Sequence, residues 1–183
     1  SVKDGSAELK TNDAWNGVMD TFDIIAKYNY NANDPLVGNT ELDGQAMAKG
    51  DVAMWFMGDW GWSYLESVAN ADDEYGIMPC PLTASADDAV NQELAVFPAK
   101  GYCVDGSQND EAQQAAGKKL VEYLTIERAQ DMSDALSIAL PFKNVDVTVA
   151  SPLANATQAY VADGKVQSTY AFSALLPSDF WSE

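Results

Sequence analysis

The sequence predicts an α/β fold, on three observations. Stretches with apolar residues at helical spacing alternate with short apolar runs that end in Gly or Pro, and no long hairpin pattern interrupts them. The chain has 183 residues and is 47% hydrophobic, enough to bury a core as one domain or as parts of two. No internal repeat or low-complexity block breaks the alternation.

The elements follow in order. NDAWNGVMDTFDIIAKY places Trp15, Val18, Met19, Phe22, Ile25 and Ala26 on one helical face, with Asn12 or Asp13 able to cap the start. NDPLVGN reads as a loop. TELDGQAMAKG pairs Thr40 with Asp43 in the manner of a capping box, and Gly50 suits the helix end. DVAMWFMG is expected to be a buried strand, WSYLESVAN a short helix, and EYGIMPCP a strand stopped by Pro79 and Pro81. Residues 83–93 are small, polar and acidic, an exposed loop. LAVFPAKGYCVDG holds strand-like pieces around the Pro98–Gly101 interruption. NDEAQQAAGKKLVEYL is a helix capped by Asn109 with Leu120, Tyr123 and Leu124 inward. TIERAQDMSDALS restarts from Thr125 and buries Ala129, Met132 and Leu136, until ALPFKNVDV breaks it at Pro141. SPLANATQAYVADGK opens with Ser151 as cap and Pro152 in the first turn, and closes at Gly164.

Charge and residue types remove several functions. Lys and Arg number 10 against 28 Asp and Glu, a net charge of −18, which repels phosphate backbones and anionic membranes. Nucleic acid is therefore not an expected partner. With no histidine, Ser-His-Asp and Cys-His nucleophilic machinery and His-ligated zinc are absent. Cys80 and Cys103 show no CxxC spacing; two free thiols are expected, and neither a metal nor a cofactor. No segment reaches the ~18 apolar residues of a membrane span. The opening SVKDGSAELK is polar and lacks a signal-peptide pattern, which fits a cytoplasmic protein or one whose leader has been removed.

The order of AMAKGDVAMWFMGDWGW, EYGIMPCPL, a polar loop, KGYCVDGSQNDEAQQAAGKKLVEYLTIERAQ and ALPFKNV resembles the family 1 extracellular solute-binding proteins of ABC importers, the maltose-binding type. The resemblance covers residues 12–146 through four ordered motifs, and the tail GKVQSTYAFSALLPSDFW is compatible with it. It implies a periplasmic-binding-protein-like fold of type II, with residues 1–88 and 145–183 in the second lobe and 94–142 in the first. It also implies that the amino-terminal half is absent, so that the fragment self-associates through apolar residues left uncovered. The implied function is capture of a neutral oligosaccharide between lobes that close by hinge motion, then delivery to the membrane permease of an ABC transporter. The implied location is outside the cytoplasmic membrane, periplasmic or lipid-anchored. No chemistry is expected, so the protein is not expected to be an enzyme.

The same resemblance points to ligand-binding residues. Trp60 matches the tryptophan that in the family stacks on a sugar ring, and Gly58 and Gly61 beside it allow a sharp turn and a close ligand. Asp59 is either a hydrogen-bond acceptor for sugar hydroxyls or a solvated turn residue. Trp62 is a further candidate, although packing of the next helix accounts for it as it does for Trp55 and Phe56 on their strand. Tyr102 matches an aromatic of the family's lobe crossing, where Lys100 here replaces a glycine. Trp181 lies near a stacking aromatic of maltose binders, or is a core or rim residue. Two other classes remain open: a glycoside hydrolase working through two carboxylates ~5–9.5 Å apart, and a non-catalytic surface module with aromatics on a flat face.

Overall fold

A computed structural model of the chain describes residues 6, 8–35, 37–83, 85–96, 101–142 and 144–168. The chain forms two compact units. One comprises Ser1–Phe56, Met78–Phe97 and Tyr160–Glu183, the other Met57–Ile77 and Pro98–Ala159.

The first unit begins with helix α1 (Asp13–Lys27), whose Asn12 side chain accepts from the Trp15 N–H at 3.0 Å. This is the expected cap, and it satisfies one of the orphan donors of the first turn. The apolar stripe of α1 is present but faces outward: Trp15, Met19, Phe22 and Ile25 are all exposed, Phe22 by 61%. The helix sits down on its Gly17 edge instead, where an added Cβ would lie 3.2 Å from the Leu82 carbonyl. Helix α2 (Thr40–Ala48) starts one residue earlier than the Thr40 box implied, because the Asn39 side-chain oxygen accepts from the N–H groups of both Glu41 and Leu42 at 3.1 Å. It buries Gly44, Ala46 and Ala48 and ends at Gly50 with φ 78°. There the Gly50 and Asp51 N–H groups donate to Met47 and Ala46 carbonyls at 3.0 Å, a Schellman closure that an L side chain would strain.

The expected strand over 51–58 does not form. Met54 and Phe56 are exposed by 76% and 80%, and the run joins no ladder among the described residues. The segment 74–81 likewise joins no strand ladder among the described residues. Among the described residues the ladder is a two-stranded parallel one, β1 (Leu94–Val96) on β2 (Val166–Ser168), with Leu94 opposite Val166. The acidic loop is more organised than its composition suggests. The Asn91 side chain accepts from the Leu82 N–H at 2.8 Å and donates to the Thr83 and Ser85 carbonyls at 3.0 and 2.7 Å.

The second unit holds α3 (Trp62–Leu65), α4 (Glu111–Glu122), a π turn (Tyr123–Glu127), α5 (Ala129–Leu136) and most of α6 (Pro152–Ala162). The cap of α4 is Asp110, not the expected Asn109, and a full capping box with Gln113 explains the choice: each residue's side chain accepts from the other's backbone N–H. Ser151 caps α6 as expected, its hydroxyl oxygen accepting from the Ala154 N–H at 3.2 Å. Leu65 is 1% exposed and, with Ala129, Leu153 and Ala154, forms the apolar core of this unit. Leu120 and Tyr123, expected inward, are exposed. The extended stretch 145–150 is held by side-chain amides in place of a neighbouring strand. Gln130 pairs with both the N–H and the C=O of Thr148 at 2.9 Å, and Asn155 donates to the Val149 carbonyl at 2.9 Å.

Candidate functional site

The candidate residues Asp59, Trp60, Trp62 and Tyr102 all belong to the second unit; Trp181 lies outside the described residues. The chain enters the site extended at Gly58 (φ −86°, ψ 178°) and turns into a single 3-10 turn, Asp59–Gly61, that runs directly into α3. The Gly61 N–H closes the turn on the Gly58 carbonyl at 2.9 Å, and the Ser63 hydroxyl donates to the Trp60 carbonyl at 2.8 Å. These two bonds fix the backbone that carries Trp60.

The Trp60 ring lies back over Gly58. A Cβ at position 58 would fall under 3.0 Å from Cζ3, Cη2 and Cε3 of the indole, so only glycine leaves room for this seat. The ring is 45% exposed. A large aromatic held on a backbone shelf with open surface is what stacking on an apolar face requires. Gly61 is buried, which accounts for the second glycine of the motif by packing.

Trp62 points elsewhere. It is half-buried and meets the Tyr75 ring edge-on, with centroids 5.8 Å apart and planes at 60°. Tyr75 is itself anchored, its phenol donating to the Asp73 carboxylate at 3.1 Å, beside the Asn70 amide at 3.0 Å. The Asn70 amide and the Tyr75 phenol lower the Asp73 carboxyl below the usual range; burial raises the Tyr75 phenol and Asp73 adds to that. Trp62 thus serves the packing of α3, together with Leu65.

Asp59 is half-buried at the first position of the turn. Burial pushes its carboxyl above the ordinary aspartate range, opposed by hydrogen bonds with the Trp60 backbone, the Thr157 side chain and its own backbone N–H. Thr157 sits on α6, where its hydroxyl donates to the Leu153 carbonyl at 3.0 Å. The sequence offered no signal for that partner, which lies far along the chain from Asp59.

Tyr102 is exposed, and its hydroxyl reaches the Met132 sulfur at 3.2 Å. The structure therefore ties it to α5. Among the described residues no cluster of three or more Cys, Asp and Glu side chains is placed to hold a metal. Cys80 and Cys103 are free thiols, and burial raises the thiol of Cys80. No family model, no curated protein and no solved structure matches this chain.

Proposed function

We propose that this chain binds a neutral carbohydrate, with Trp60 as the stacking platform, and that it belongs to the solute receptor of an ABC importer. The observation that carries the proposal is the indole seated on Gly58 with nearly half its surface open. Sugar rings offer an apolar C–H face to such a platform and hydroxyls to the groups around it. Asp59 at the next position has acceptor capacity for those hydroxyls. The net charge of −18 favours an uncharged ligand over an anionic one.

The receptor role, the membrane permease as partner and a location outside the cytoplasmic membrane rest on the ordered motifs alone. A thermal-shift screen of the chain against neutral oligosaccharides tests the binding half directly. A rise in melting temperature with sugar concentration is the expected result. Appearance of new reducing ends in the same mixtures would replace the reading with glycoside hydrolysis.

A further inference from the structure

A second carbohydrate contact lies in the same unit, and it rests on the carbohydrate reading above. The junction of α4 and α5 is a π turn: the Arg128 N–H donates to the Tyr123 carbonyl, five residues back, at 2.9 Å. Such single wide turns recur at functional sites, because one extra residue rotates everything after it. Tyr123, Leu124, Arg128, Asp131 and Met132, all from this one helical stretch, line a cavity largely open to solvent. Tyr102 borders it through the contact of its hydroxyl with Met132.

The lining has a definite chemistry. Leu124 and Met132 are half-buried, while Tyr102 and Tyr123 are exposed aromatics. Arg128 forms an ion pair with Asp131. An anion would meet Asp131 and the acidic chain around it, and would have to displace a carboxylate from Arg128. A purely apolar ligand would strip water from the ion pair and replace it with nothing. A neutral polyol does neither, since adjacent hydroxyls can donate to the carboxylate and accept from the guanidinium while ring C–H groups lie on the tyrosines.

We propose that this cavity is a sugar subsite, with Tyr102 and Tyr123 as aromatic surface and the Arg128–Asp131 pair as the hydrogen-bonding group. The test is calorimetric titration of the full chain with maltotriose and with cellotriose, comparing the unsubstituted protein, the double variant Arg128→Gln/Asp131→Asn, and Tyr123→Ala. The pair is solvent-exposed, so the double variant should keep its melting temperature. Binding should weaken about tenfold in each variant, the size of one lost stacking or charged hydrogen-bond contact. As a check that needs no variant fold, 3-fluorotyrosine resonances of Tyr102 and Tyr123 should shift on titration. If the unsubstituted chain binds sugar while both variants bind equally well and neither resonance moves, the subsite is wrong and the Trp60 reading stands. If the unsubstituted chain binds neither these trisaccharides nor any other neutral oligosaccharide, both fall.

Discussion

Replacing Gly58 by alanine tests the seat of Trp60 without touching the tryptophan. At φ −86° and ψ 178° the backbone of position 58 suits any L residue, so the substitution carries no backbone strain. Its one effect is steric. The new methyl would lie under 3.0 Å from three indole carbons, against an ordinary contact of about 3.5–4.0 Å, so the ring has to swing away by roughly 1.5–2 Å. With 45% of the side chain already open, the ring has space to move, and the folding cost should stay near the off-rotamer scale of about 0.5–1.5 kcal/mol. Binding should suffer more. A tryptophan side chain offers up to ~250 Å², of which roughly 110 Å² is open here, and a sugar covering half to two-thirds of that removes about 55–75 Å² from water. At ~25 cal/mol per Å² this amounts to about 1.4–1.9 kcal/mol, or roughly a 10- to 25-fold change in Kd. Calorimetric titration gives the affinity, and near-UV circular dichroism reports whether the indole has moved. Unchanged affinity in a variant whose aromatic signal shows the ring displaced would refute the claim that this seat positions a platform.

The remaining predictions concern the frame around it. Leu65→Ala should cost about 2–5 kcal/mol of folding in a denaturant titration, because Leu65 is the largest apolar side chain closed off completely in its unit. Ser151→Ala removes the cap of α6 at a buried position and should cost about 0.5–2 kcal/mol by the same measurement. The Asp59 carboxyl is raised by burial, so the folded chain holds this proton more tightly than the unfolded one. Its contribution to stability should therefore be greatest below about pH 3.8 and decline as pH rises through the higher folded value. Asp59→Asn should remove that decline from a plot of melting temperature against pH; an unaltered slope would show that another group is responsible.

Local chemistry was legible in the sequence, and long-range pairing was not. Asn12, Gly50, Ser151 with Pro152, and Gly164 each announce a helix end by bonds made within a few residues, and those ends are where they were expected. The two displaced caps, Asn39 for Thr40 and Asp110 for Asn109, moved by one residue because a neighbour offered an equal or better acceptor. The run Asp51–Gly58 was read as a buried strand from its apolar content alone, yet a strand exists only when another segment supplies a ladder, and none does so here among the described residues. The apolar stripe of α1 is legible in the spacing but its outward direction is not, since periodicity says which residues align and not what lies opposite them. At the site, Gly58 and Gly61 mark the turn, and the greater exposure of Trp60 than of Trp62 agrees with their positions before and inside α3. The Thr157 partner of Asp59 and the π turn beyond α4 left no trace in residue order, because both depend on how distant or successive turns are stacked.

The most direct test of the central claim is calorimetric titration of the chain and of Trp60→Ala with a panel of neutral oligosaccharides. The account predicts that at least one sugar binds the unsubstituted chain and that Trp60→Ala weakens it about 10- to 25-fold, in step with the open area of the ring. Binding that survives the loss of Trp60 unchanged, or no binding to any sugar of the panel, would contradict it.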